Sequence, residues 1–405
     1  MSVSMSNFLY MIFGNYMLYG LSGSLCSSIW PKLANDIGAA VALLGVVSTL
    51  CSAASGITCA FVYKIRRKFG TNRTISIGLI FMTISLILFS IASNIIFIAL
   101  AFIILGVGNA IVDVGSNSYV IKAYDAKKVS MLHACWGIGS AVGPMVMAFS
   151  MIYLNNYRLG FTIGAVVNIL VLTILYFMKR KWEAQKQNLS KDLVELHSVS
   201  EIEKANNKKF TDIIKIDLAL LVMCCFFFGN ALNGFFNMWM TTIFVTQRNI
   251  SAVEGANIAT IFFASLTIMR IILGFVAGNV KTKNIVLFGI TTSIIGIAMM
   301  FIRSANIIFL YFNVLLLGIG IAPIIPFLNH YIKVLFGGDN VSEILSFCTL
   351  FSLIGAAASS FFATIFVRVF GIDFIQLYII VIAIALLAIY LYIMIRSNRI
   401  AKKEV

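Results

Sequence analysis

The sequence predicts an all-α membrane protein with twelve transmembrane helices in two pseudo-symmetric six-helix bundles. Three observations predict it. Apolar residues make up 60% of the 405-residue chain and charged residues only 11%, whereas a soluble domain is about one quarter charged. The apolar residues fall into runs of the length a bilayer requires, about 20 residues per helix. Lys and Arg concentrate in alternate connections between those runs, which is the charge pattern of cytoplasmic loops.

In chain order the runs are 8–29, 41–63, 74–92, 95–121, 130–154, 159–178, 213–237, 255–279, 284–303, 306–328, 342–370 and 372–395. Gly and Pro within them are not breakers, because lipid offers the backbone no partner other than itself. With the N-terminus inside, 24 of the 30 Lys and Arg face the cytoplasm, five (Lys32, Arg158, Arg248, Arg303 and Arg368) face outward, and Arg270 lies within a span. Both termini are therefore expected to be cytoplasmic, in a multi-pass plasma-membrane protein. The net charge of +15 is a topology signal, not a nucleic-acid footprint. The opening MSVSMSNFLY has no basic n-region, so no cleaved signal peptide is expected,. Trp30, beside Pro31, reads as an anchor at the membrane interface,.

One connection is long and mixed in charge: 179–212, KRKWEAQKQNLSKDLVELHSVSEIEKANNKKFTD. It reads as a partly helical cytoplasmic linker between an N-terminal bundle (1–178) and a C-terminal bundle (213–395), with 396–405 as a cytoplasmic tail. The halves echo each other at an offset of 212 residues: Gly106 and Gly108 fall on Gly318 and Gly320, Asn117 on Asn329, and Gly143 on Gly355. Two parallel halves of this kind place a substrate site between them near the bilayer midplane.

Four spans each carry a polar face at helical spacing. They are Asn15, Tyr19, Ser22 and Cys26 in span one; Gly106, Asn109, Asp113, Ser116 and Asn117 in span four; His133, Trp136, Gly137, Ser140 and Pro144 in span five; and Asn230, Asn233, Asn237 and Thr241 in span seven. Such faces either pack together or line a wet cavity. Packing accounts as well as a site does for Ser116, Ser140, Gly137 and Gly143. It is a poorer account of three amides on one face, which with an aromatic plane suit a hydroxyl-rich solute. Asn15, Tyr19, Asn109, Asn117, Trp136, Asn230, Asn233 and Asn237 are the candidate substrate contacts.

Asp113 is the acid set well inside a span; Glu343 stands at the start of span eleven. A carboxylate removed from water takes up a proton unless a cation pairs with it, which makes Asp113 the candidate coupling group. Arg270 is its intramembrane basic counterpart, and His133 a candidate relay,. A proton is the expected coupling ion, ahead of sodium. No P-loop or dinucleotide fingerprint occurs in a strand–turn–helix context, the three His are scattered, and the seven Cys read as small buried hydrophobes,. No enzyme activity, cofactor or metal is expected. The expected partners are a small-molecule substrate and the lipid bilayer, not nucleic acid, and a two-half carrier needs no second copy, so a monomer is expected. Polar stripes also line channels, but a two-half chain with no repeated filter sequence favours a carrier.

The pattern resembles the major facilitator superfamily over essentially the whole chain outside the linker and tail. Within it, LGVGNAIVDVGSNSYV (105–120), LHACWGIGSAVGPMV (132–146) and GIGIAPIIPFLN (318–329) look like the fucose-permease and sodium-dependent glucose-transporter group. The resemblance implies alternating access, a central cavity and cation-coupled sugar uptake. It assigns Asp113 a coupling role by position, makes Gly139, Gly143 and Pro144 a bending and close-packing segment, and gives Arg270 the place of a basic residue in span eight. The turn after span two, YKIRRKFGTNR, keeps the pattern's Gly70 but has Arg67 where an acid is expected. Asn15 and Asn233 likewise stand where relatives carry acids. Fewer carboxylates leave room for an uncoupled uniporter, or for an exporter of an amphipathic or drug-like compound.

Overall fold

The computed structural model describes residues 3–124, 126–194, 210–276, 280–337 and 341–401. These residues form helices and short turns. The helices are α1 (Val3–Leu25), α2 (Trp30–Asp36), α3 (Leu43–Ile91), α4 (Ile95–Ala123), α5 (Ala126–Tyr153), α6 (Arg158–Val194), α7 (Phe210–Ile213), α8 (Ala219–Arg248), α9 (Ala252–Val276), α10 (Thr282–Met299), α11 (Ile307–Ile321), α12 (Ile324–Phe336), α13 (Val341–Phe370) and α14 (Ile375–Ala401). Eleven segments among the described residues are long and apolar enough to cross a membrane. The 23-residue α1 is not one of those eleven.

The α3 run is interrupted at Gly70, with φ 78° and ψ 166°. Only glycine enters that region freely, so the interruption between the second and third apolar runs depends on residue identity. The tenth run is longer than the 306–328 expected. It continues to Phe336 as α11 and α12, broken at Ala322–Pro323, where proline supplies no backbone N–H,. Helix α6 continues to Val194, so the start of the long connection is helical as expected, while 195–209 and 402–405 lie outside the described residues. Trp30 is a correction. It is fully buried, with its indole N–H donating to the Val41 carbonyl at 2.8 Å. Because α2 folds back against α8, the ring serves the protein interior, not an interface.

Helix α1 packs on α5, and α3 on α4 and α6; α8 packs on α13 and α14, and α11 on α9 and α10. The 212-residue echo has a packing counterpart. A methyl added at Gly106 would meet the Cys51 carbonyl at 2.2 Å, and one at Gly318 would meet the Phe262 carbonyl at 2.7 Å. Gly108 likewise abuts Gly78, and Gly320 abuts Ser293. The offset extends to helix starts that the sequence reading passed over. Asn94 accepts from Ile96 N and Phe97 N at 3.0 and 3.2 Å, and Asn306 accepts from Ile308 N and Phe309 N at 2.9 and 3.4 Å. Both are N-caps that satisfy amides the helix leaves unpaired.

Contacts between the first six runs and the last six gather along two seams. At one, Thr364 Oγ1 donates to the Ala42 carbonyl at 2.9 Å and Thr49 Oγ1 to the Ala357 carbonyl at 3.3 Å, with Gly45 pressed against Ser360 between them. At the other, α5 lies on α9, with Gly137 against Thr267.

Candidate functional site

Asp113 sits in the middle of α4, four residues before Asn117, so helical spacing brings both side chains to one face,. The structure adds a residue from α1. Tyr16 donates its hydroxyl to Asp113 Oδ1 at 2.5 Å, and Asn117 Nδ2 donates to the same oxygen at 2.6 Å and to the Tyr16 hydroxyl at 2.8 Å. Both bonds to Asp113 fall on Oδ1. No hydrogen bond reaches Oδ2 from the described residues, and Asp113 is not sealed from the exterior. One oxygen is therefore held and the other left open.

Tyr16 was not among the candidates, because a lone tyrosine in an apolar run carries no distinctive signal. Its one legible feature is i, i+3 spacing to Tyr19, and the two rings do meet edge to face at 5.4 Å. The aromatic series continues across α5. His133 lies edge-on to Tyr16 at 5.7 Å, and Trp136 is 6.4 Å from Tyr19. From α9, Phe263 abuts Trp136 at 6.4 Å, and the Arg270 guanidinium stands 5.8 Å over the Trp136 ring. Arg270 Nε donates to the Ala322 carbonyl at 3.4 Å, at the break between α11 and α12.

Asp113 and Arg270, each other's expected partners, form no ion pair within 4.0 Å here. The hydrogen bonds to Asp113 come from α1 and α4, and Arg270 meets Trp136 of α5 and the Ala322 carbonyl at the end of α11.

The amides divide into two groups. Asn230 Nδ2 donates to the Ser352 carbonyl at 2.9 Å, and Asn233 Nδ2 reaches Asn230 Oδ1 at 3.3 Å, so Asn230 ties α8 to α13. The carboxamide oxygens of Asn15, Asn109, Asn117, Asn233 and Asn237 are buried with no partner among the described residues. Buried acceptors left open cost about 1–3 kcal/mol each and call for a donor such as a hydroxyl or water. In the span-five stripe, Ser140 Oγ returns to the Trp136 carbonyl at 2.9 Å, while Gly139 and Gly143 lie against Met17 and Ser24 of α1. Those three are packing contacts. Pro144 is buried within a continuous α5. Near the basic turn, Arg66 donates to Ser118 Oγ at 2.5 Å, while Arg67, at the place of the missing acid, is exposed.

The Tyr16–Asp113 bond joins two helices through an ionisable acceptor, a class worth about 1.5–3 kcal/mol. Tyr16→Phe is expected to lower the thermal unfolding midpoint. The loss should shrink by more than half when Asp113 is already Ala, as a double-mutant cycle by scanning fluorimetry would measure. Equal losses in both backgrounds would mean that the bond contributes nothing specific.

A bundle of membrane-length helices holding a half-buried acid, an arginine with no carboxylate partner among the described residues and several unpartnered amide oxygens is that of a multi-pass membrane transport protein. The family model described as Major Facilitator Superfamily matches residues 12–256; the chain belongs to that superfamily, and so is a secondary transporter of small molecules and not an enzyme. A comparison with curated proteins finds no match. Among solved structures, the chain is similar to a D-xylose–proton symporter (TM-score 0.74, 14% identity, covering 96% of this chain and 97% of that one). It is similar also to the nucleoside transporter NupG, solved as a point mutant (0.72, 13%, 95% and 98%). A third is a bacterial homologue of the human lysosomal transporter Spinster, inward-facing and unoccupied (0.75, 13%, 98% of each chain).

Proposed function

We propose that the protein is a proton-coupled, alternating-access carrier of a small, hydroxyl-rich solute such as a sugar, with Asp113 as the coupling group. In this reading α1 joins the eleven membrane-length segments as a twelfth span. Two pseudo-symmetric six-helix bundles, 1–178 and 213–395, then flank the site, with both termini on the cytoplasmic side of the plasma membrane. The repeated glycine contacts and the paired Asn94 and Asn306 caps support the pseudo-symmetry.

The observation that carries the reading is the asymmetry at Asp113: Oδ1 is held by Tyr16 and Asn117, while Oδ2 is open to receive a proton. Tyr19 and Trp136, joined to Tyr16 through ring contacts, offer flat faces, and Asn109 and Asn117, one turn either side of Asp113, carry unpartnered oxygens for solute hydroxyls, with Asn15, Asn233 and Asn237 as further candidate acceptors. The seam at Ala42, Gly45 and Thr49 lies at the outer end of α3 in this topology. Ile57 and Phe61, farther along the same helix, are exposed. This arrangement fits a carrier open toward the cytoplasm.

The test is a thermal-shift screen of purified protein against sugars, nucleosides and amphiphiles, followed by flux into liposomes with the best hit. A hydroxylated solute is expected to stabilise the protein and to accumulate only under an inward proton gradient. Stabilisation by amphiphiles alone would move the assignment to export. Binding without flux under any gradient would make the protein a sensor.

A further inference from the structure

We infer that the solute carries one negative charge, held by Arg270, so that the cargo is a hydroxylated carboxylate of the sugar-acid class. The inference rests on the carrier reading and narrows its substrate.

Arg270 is a cation without a counter-ion. Among the described residues no carboxylate lies within 4.0 Å of it, and its only hydrogen bond is the long one from Nε to Ala322 O. The hydrogens on the two Nη atoms find no acceptor among the described residues. Arg270 is half-buried on a membrane-length helix, and an ionisable group at that depth is expensive unless it pairs with an opposite charge or faces a wet cavity. The contact with Trp136 offsets about 0.5–2 kcal/mol of this, which is less than the penalty. A guanidinium fork presents parallel N–H groups that match a carboxylate in two-point geometry. Trp136, under the guanidinium, and Tyr19 beside it offer faces for a ring or carbon chain, and Asn109 and Asn117, one turn either side of Asp113, carry amide oxygens that need hydroxyl donors. Together these describe one anionic group on a polyhydroxylated body.

The charges also supply a reason for coupling. With the site empty, Arg270 and ionised Asp113 sum to zero. A bound anion alone leaves the site at −1, and a proton on Asp113 Oδ2 alone leaves it at +1. Anion and proton together restore zero. His133, Cys51 and Cys59, the other titratable groups near this pair beside Tyr16 and Tyr19, count as neutral in each state. A half-loaded site carries an uncompensated charge through the occluded state, where low dielectric makes it expensive. The empty and doubly loaded sites do not, so transport is a one-to-one, electrically neutral symport.

The experiment compares D-gluconate and D-glucuronate with their uncharged counterparts D-glucitol and D-glucose on the purified full chain. Binding is read from intrinsic tryptophan emission, with Trp136→Phe to assign the signal. Either acid is expected to bind at least ten times more tightly than its neutral counterpart. Arg270→Gln should lose that preference and Arg270→Lys should keep only part of it. No response to either acid, equal binding of acid and neutral partner, or an unchanged preference in Arg270→Gln would overturn the proposal. If Arg270→Gln is not monodisperse, the wild-type comparison and Arg270→Lys decide. Acid binding without flux in liposomes would sink the carrier reading and leave this site standing. Proton-driven flux of neutral sugars with no acid response would do the reverse.

Discussion

Asp113→Asn is expected to abolish uphill accumulation while leaving exchange of solute across the membrane largely intact. Because every hydrogen bond to Asp113 falls on Oδ1, asparagine can present its own oxygen to Tyr16 and Asn117 and place its NH2 where Oδ2 stood. The geometry survives, and only the ability to gain and lose a proton is removed. Asparagine then imitates the protonated acid permanently. One proton moved down a gradient of one pH unit supplies about 1.4 kcal/mol, enough for roughly tenfold accumulation. Wild-type protein in liposomes should therefore concentrate its solute up to about tenfold per pH unit, and the variant should stop at equality. Counterflow, which needs no gradient, should retain most of its rate in the variant. Accumulation equal to wild type would make Asp113 a structural residue.

Gly45→Val is expected to reduce flux at least tenfold with little loss of stability, by preventing closure of one seam. A Cβ at Gly45 would lie 2.0 Å from the Ser360 carbonyl and 2.1 Å from Thr364 Oγ1. The first of these is backbone and cannot rotate away, so α3 and α13 must separate. Overpacking of this kind costs about 1–3 kcal/mol, and here the cost falls only on the conformation in which the seam is closed. The equilibrium between open and closed forms should move by about 5- to 150-fold. Hydrogen exchange across 42–50 and 356–364 should rise in the variant.

Gly139→Val supplies the contrast. Its Cβ would meet the Met17 carbonyl at 1.8 Å, but that contact lies between α1 and α5, within one half of the chain. It should lower the unfolding midpoint by several degrees, where Gly45→Val changes it little. If both variants lose stability alike, the α3–α13 seam is static packing and not a moving gate.

The membrane-length apolar runs were legible in the amino-acid sequence because they follow from local chemistry, and the basic connections and the 212-residue echo are patterns of the same local kind. A bilayer demands about 20 apolar residues per helix, Lys and Arg favour the inner loops, and a repeated unit needs its small residues at the same helix contacts. Asp113 and Asn117 could be placed on one face because four residues are about one helical turn. Trp30 was misplaced because its burial depends on how α2 folds back, which lies outside the 30–36 segment. The break at Ala322–Pro323 and the continuation to Phe336 were both missed, because the proline was read as no breaker within a membrane-length run.

What this sequence determined by itself was therefore a membrane helix bundle with an acid, a base and a set of amides at bilayer depth. Tertiary structure alone decided which of them meet. It set Tyr16, from 97 positions away in the chain, against one oxygen of Asp113, used Asn230 as a tie to Ser352, and left Arg270 facing Trp136 instead of Asp113. The physical reason is that helical periodicity fixes the direction of a side chain around its own axis, whereas its partner depends on the rotation and depth of a second helix, which distant small-residue contacts such as Gly139 on Met17 set.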